Sequence, residues 1–116
     1  MPVFREKDIK GRAIFPGVTL VQAVEYDSGS QAVTMGKLTL QPGSEIPPHT
    51  HPVDDCMIII QGSGQLYTEG DPVPIEAGCH LWAAANSRHG VKNTGSTPLI
   101  LIYTWPAVNV KRIMVK

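Results

Sequence analysis

The chain has 116 residues, enough for one domain and too few for two. Apolar residues make up 42% and charged residues 17%, a globular rather than a disordered balance. Ten basic and ten acidic side chains cancel, which removes the electrostatic footprint expected of a nucleic-acid or acidic-membrane binder.

Met1-Pro2-Val3-Phe4-Arg5-Glu6-Lys7-Asp8 is charged where a signal peptide needs an apolar run, and no apolar stretch is long enough to span a bilayer. The expected compartment is therefore the cytoplasm. Cys56 and Cys79 do not make a disulfide framework.

Eleven glycines and ten prolines cut the chain into short apolar or alternating pieces. Residues 1–16 read as an irregular arm, lying on the body of the protein or on a neighbouring subunit. Strands are expected at 17–26, 32–40, 56–61, 64–69, 73–76, 80–84, 90–93 and 99–105, with a last one within 108–115. Asp27-Ser28-Gly29-Ser30 has the chemistry of a turn, and Gln61-Gly62-Ser63-Gly64 and Glu69-Gly70-Asp71-Pro72 read as hairpins. No window carries a capped helical stripe, so an all-β sandwich or closed barrel is expected.

Two of the four histidines and one aspartate stand out by spacing. His49 and His51 are two apart, which puts both imidazoles on one face of a strand. Asp55 keeps the same parity if the chain stays extended, as Pro47, Pro48 and Pro52 favour. Imidazoles with a carboxylate suit zinc, iron, nickel or manganese. Cys56 competes as a soft ligand, but alternation turns it to the other face, where it and Cys79 read as small buried hydrophobes.

The wider pattern resembles the cupin family. Gly43, five residues, His49-Thr50-His51, three residues, Asp55, six residues and Gly62 follow its first motif, with aspartate where glutamate is usual. Gly78, five residues, Ala84-Ala85-Asn86, two residues, His89, three residues and Asn93 follow the second, with Ala84-Ala85-Asn86 in place of Pro-x-Gly. Asn86 is a workable replacement for that glycine because Asn tolerates the left-handed conformation.

The resemblance implies a single cupin domain: a jelly-roll barrel, or double-stranded β-helix, over 17–107, carrying the motifs at 43–62 and 78–93, with an arm at 1–16 and a C-terminal strand at 108–116. It implies a divalent metal ion (Fe, Mn, Zn or Ni) on His49, His51, His89 and Asp55. Aspartate is one methylene shorter than glutamate, so Asp55 binds directly, binds through water, or leaves three histidines and an open position.

The resemblance also implies an enzyme acting on a small oxygenated molecule, of dioxygenase, isomerase or lyase type. The alternatives are a small-molecule or sugar-binding module without catalysis and a barrel stiffened by a structural metal. Met57 and Ile59 share the inward parity of Asp55. Arg88 and Lys92 flank His89 and offer charge for an anionic substrate, or are solvated loop charges. Tyr67 and Tyr103 have acid–base chemistry but no assigned role, and His80 reads as structural. Trp82 and Trp105 border a pocket or a partner. The apolar segments 99–105 and 108–115 and the N-terminal arm suggest a homodimer.

Overall fold

The computed structural model describes residues 1–115. Eleven strands are present among them: β1 (Arg12–Phe15), β2 (Val18–Val24), β3 (Thr34–Leu40), β4 (Glu45–Thr50), β5 (Asp55–Gln61), β6 (Ser63–Tyr67), β7 (Val73–Glu76), β8 (His80–Ala83), β9 (His89–Lys92), β10 (Leu99–Trp105) and β11 (Ile113–Met114). They form a six-stranded sheet in the order β1-β2-β3-β10-β5-β8 and a five-stranded sheet in the order β11-β4-β9-β6-β7. Every pairing is antiparallel. This is the jelly-roll barrel expected from the sequence, two sheets closing on one apolar interior.

Alternation sends one side chain in two inward. Gly36, Leu38 and Leu40 on β3, Met57 and Ile59 on β5, and Leu99, Leu101, Tyr103 and Trp105 on β10 are all buried. With Val18, Leu20, Ile46, Ile75 and Val91 the apolar members form one continuous core. Gly36 is required because the Tyr103 ring lies where a Cβ would stand.

Asn93 ties the end of β3 to the loop that leads into β10. It is fully buried, donates from Nδ2 to the carbonyls of Leu40 and Thr97, both at 2.9 Å, and accepts the Gly95 N–H at 2.9 Å. Each of those groups, left without a partner inside the protein, would cost about 1–3 kcal/mol.

Four expectations are corrected. The segment Gln61-Gly62-Ser63-Gly64 does not close a hairpin: β5 belongs to one sheet and β6 to the other, so the turn carries the chain between sheets. Gly62 makes the crossing at φ 85°, where a Cβ would lie 2.7 Å from the Pro98 carbonyl oxygen. The stretch from His49 to Asp55 is not one extended strand; it bends at Pro52 and Val53, and Asp55 begins β5 in the opposite sheet. Cys56 is exposed rather than buried, while Cys79 packs against the core. β1 lies within the N-terminal segment expected to be irregular, and the strand expected around His49 begins earlier, at Glu45, and ends at Thr50.

Residues 108–115 contain only the short β11, which pairs with β4 of the same chain (Ile113 with Thr50, Met114 with His49). Lys116 lies outside the described residues. No helix among the described residues is long and apolar enough to cross a membrane.

Candidate metal centre

The two motif segments meet at one end of the barrel. His49 lies on β4 directly opposite His89 on β9, and His51 follows just beyond the end of β4. Asp55 arrives from the facing sheet as the first residue of β5. The structure thus brings together all four side chains singled out in the sequence: two from strands of one sheet, His51 from the segment that leaves it, and Asp55 from the other sheet. All four are buried.

The metal-ligating atoms of His49, His51 and His89 lie within 4.8 Å of one another. Asp55 sits beside two of them, its Oδ2 at 3.2 Å from His89 Nε2 and 3.6 Å from His51 Nε2. Its Oδ1 is buried and has no hydrogen-bond partner.

Each imidazole is held by its outer nitrogen. His49 Nδ1 lies 2.8 Å from the Pro47 carbonyl oxygen, His51 Nδ1 2.7 Å from that of Lys111, and His89 Nδ1 3.0 Å from that of Ser87. A carbonyl oxygen only accepts, so each Nδ1 carries the proton and donates it. In the neutral rings every Nε2 then presents a lone pair, and the three lone pairs face a common point. His49 Nε2 and His51 Nε2 are 3.1 Å apart. Two lone pairs at that distance repel unless a cation stands between them. Backbone carbonyls that set the tautomer and aim the inner nitrogen are the usual outer support of a histidine metal ligand. The geometry and chemistry of the donor set therefore fit a borderline divalent cation.

Burial shapes the titration of the cluster. Desolvation holds the His49 pKa down to about 4, against the opposing pull of the Pro47 carbonyl. Burial also lowers His51. Burial acts on His89 in the same direction, but the hydrogen bonds to the Asp55 carboxylate and the Ser87 carbonyl outweigh it and raise its pKa. Two of the three imidazoles are thus kept neutral, the form that binds a metal.

The chamber around these groups is small, about 20 Å³, room for roughly one water. Leu38, Ile46, Met57 and Val91 give it apolar walls, and Tyr103, Trp105 and Arg112 complete it. The Trp105 ring stands 4.9 Å from that of His51, and the Tyr103 hydroxyl is bonded to Gln22 Oε1. Burial moves the Tyr103 pKa further above its ordinary value, which removes it as a base at neutral pH.

Two larger clefts adjoin the chamber. One, of about 260 Å³, shares Met57 and His89 with it and is lined also by Tyr67, Glu69, Trp82 and Arg88. The other, of about 370 Å³, shares Trp105 and Arg112 with it.

The flanking cations are placed differently from one another. Arg88 lines the first cleft, but its Nη1 donates to the Thr68 carbonyl at 2.6 Å. Lys92 stands on β9 paired with Glu45 and Gln65, away from the histidines. The cation that faces the metal chamber is Arg112, which no sequence motif marks; its position depends on how the C-terminal segment folds back over β4. Tyr67 donates to Glu45 Oε2 at 2.6 Å and so is committed to that carboxylate. His80 and Trp82 share the exposed outer face of β8, and Trp82 Nε1 bonds Asp54 Oδ2 at 3.0 Å.

The buried imidazoles titrate in a fixed order in the metal-free protein. As pH falls in the presence of a chelator, His89 takes its extra proton first, above the ordinary 6.5, and His49 stays neutral to about pH 4. An unfolded chain protonates His49 near 6.5, so between 6.5 and about 4 the unfolded state binds more protons and His49 makes stability fall with falling pH. His89 acts in the opposite sense: its contribution is complete below 6.5 and is lost as pH rises through its raised folded value. NMR titration of the imidazole rings checks the order; a His49 that titrates near 6.5 would contradict it.

The model of the Cupin domain family matches residues 36–105, a span that holds both motifs. Auxin-binding protein 1 of Arabidopsis thaliana is 30% identical over 115 residues, covering 90% of this chain and 57% of the relative. The tetracenomycin polyketide synthase protein TcmJ of Streptomyces glaucescens is 28% identical over 76 residues, 65% of this chain and 51% of the relative. The chain thus spans about half the length of the curated relatives it matches. Among solved structures, the polyketide cyclase RemF from Streptomyces resistomycificus superposes with a TM-score of 0.82 at 17% identity, over 100% of this chain and 87% of that one. The strand order, the two motif segments at one barrel mouth and the family match lead to one conclusion: this chain belongs to the cupin family.

Proposed function

We propose that His49, His51 and His89 hold one divalent metal ion, with the Asp55 carboxylate as fourth ligand, and that the protein is an enzyme acting there on a small oxygenated molecule. The observation that carries this reading is the set of three Nδ1–carbonyl bonds, which turn three Nε2 atoms toward one another, all three as lone pairs once His89 gives up the proton it shares with Asp55. The unpartnered Oδ1 of Asp55 supports the carboxylate's part. Iron, manganese, zinc and nickel all suit imidazole with carboxylate.

A metal bound there supplies Lewis acidity, and for a redox-active metal also electron transfer. The chain's own residues supply the rest. Leu38, Ile46 and Val91 exclude bulk water and lower the local dielectric, which strengthens each electrostatic contact inside. The Pro47, Lys111 and Ser87 carbonyls keep the imidazoles from turning. Tyr67 and Tyr103 are bonded elsewhere, and no further base faces the chamber among the described residues. Reactions carried by the metal, such as oxygenation, isomerisation or lyase chemistry, fit this arrangement better than those needing a separate acid–base pair.

A second reading has a specific observation in its favour. The similarity to an auxin-binding protein extends along 90% of this chain, which suits a module that binds a small molecule without converting it. Mass spectrometry of small hydroxy acids, keto acids and phenols incubated with the metal-loaded protein separates the two. The enzyme reading expects a product that disappears in the His49→Ala, His89→Ala double variant; binding without conversion supports the second reading.

Elemental analysis tests the ligand set. The double variant should lose its metal, with affinity reduced on the order of 100-fold or more, and Asp55→Ala should weaken binding about tenfold while the barrel stays folded. Cys56→Ala should leave metal content unchanged, since Cys56 is exposed. Full occupancy in the double variant, or loss in Cys56→Ala alone, would overturn the assignment.

We also propose that the protein pairs as a homodimer. Phe4 and Met35 expose apolar surface beside Val21, Ala23 and Ile102 on the outer face of the six-stranded sheet, and closed two-fold pairing is the common way to cover such a face. Light scattering at low micromolar concentration should give twice 12.6 kDa; a mass of 12.6 kDa would exclude it.

A further inference from the structure

The cleft of about 370 Å³ beside the metal chamber ends inward on two residues, Trp105 and Arg112, that line both spaces. Trp105 is 8% exposed, and its Nε1 is buried with no hydrogen-bond partner. Arg112 Nε is in the same condition. No ion pair to the Arg112 guanidinium is formed among the described residues. Two buried N–H donors without an acceptor, on neighbouring side chains at one place, make a site for an oxygen that the protein itself does not supply.

The side chain that brings the charge is held in place. Residue 111 gives its carbonyl to His51, and residues 113 and 114 pair with β4, so Arg112 is clamped on both sides. Its guanidinium carbon sits 5.3 Å from the Phe15 ring centroid, which adds a cation–π contact along its path. Asp55 is the carboxylate that shares the chamber, and its Oδ2 is already turned to His51 and His89. Glu25, Asp27 and Arg12 also line the cleft but, unlike Trp105 and Arg112, do not line the chamber.

We propose that Arg112 and Trp105 form an oxyanion-binding site at the inner end of this cleft, taking the carboxylate of a small organic acid whose remaining atoms occupy the cleft. This deepens the metal-centre reading and rests on it for one point only, that the anchored molecule then lies beside the metal. A guanidinium matches a carboxylate in both charge and geometry, and the indole N–H adds a neutral donor. The C-terminal segment would thus serve two ends at once: its residue 111 orients a histidine, and its residue 112 selects for charge.

The probe is benzoate, with benzamide as its neutral counterpart of nearly the same shape, measured by titration calorimetry on the metal-loaded and the metal-free protein. Benzoate should bind the wild type at least tenfold tighter than benzamide. Arg112→Gln should abolish that preference, Arg112→Lys should keep a preference for the anion, and Trp105→Phe should weaken benzoate at least threefold. Metal content should be unchanged in Arg112→Gln. If that variant does not fold, the Arg112 Nε–H resonance of the wild type gives the answer: it should shift with benzoate and not with benzamide.

A wild type without preference, a preference that survives Arg112→Gln, or an Nε–H resonance unmoved by benzoate would overturn the proposal. The two readings fail separately. Arg112-dependent benzoate binding in a protein that takes up no metal would remove the metal centre and keep the anion site. Normal metal uptake with Arg112-independent binding would do the reverse.

Discussion

Three hydrogen bonds from imidazole to backbone carbonyl govern the chemistry of this protein. Pro47, Lys111 and Ser87 each accept a proton from the outer nitrogen of a histidine, and that choice dictates what the inner nitrogens present. Without such bonds the rings could exchange tautomers and satisfy one another, His49 Nε2 donating to His51 Nε2 across 3.1 Å. With them, that exchange would turn a lone pair toward a carbonyl oxygen, so the cluster is left short of positive charge. Burial deepens the need by keeping His49 and His51 neutral. A metal ion bound there would answer it; without one, the proton shared by His89 and Asp55 answers part of it.

The fold delivers these groups from distant parts of the chain. Pairing of β4 with β9 sets His49 against His89. The bend at Pro52 and Val53 carries the chain across to the other sheet, which lets Asp55 approach from the opposite side. Asp54 steadies this crossing by accepting from Trp82 Nε1 and from the Ala85 N–H. The carbonyl that orients His51 comes from the C-terminal segment, 60 positions away. That segment is therefore part of the site, although its strand is only two residues long.

Much of this was legible in the sequence, and what was not has identifiable physical causes. The resemblance to the cupin motifs implied that His49, His51, His89 and Asp55 converge, and alternation placed Met57 and Ile59 inward. Asn86 adopts φ 66°, the conformation for which Asn is a tolerable replacement for glycine. The parity argument for Asp55 reached the right neighbourhood by the wrong route, because proline-rich extended backbone does not reveal a change of sheet. Gly62 looked like half of a hairpin because a left-handed glycine serves a crossover as readily as a tight turn. Cys56 is expected to be buried because free cysteine usually packs as a small hydrophobe, yet alternation turns it to the outer face of β5, where no layer covers it. Arg112 could not be read at all: nothing local distinguishes an arginine that turns into a barrel from one in solvent.

The central claim is that one metal ion sits among these four side chains. X-ray absorption at the edge of whichever metal the protein acquires tests it most directly. A first shell of three imidazole nitrogens and carboxylate oxygen at about 2.0–2.3 Å, with the outer scattering of imidazole rings, is the predicted result. A shell without imidazole scattering, or one containing sulfur at about 2.3 Å, would contradict the account.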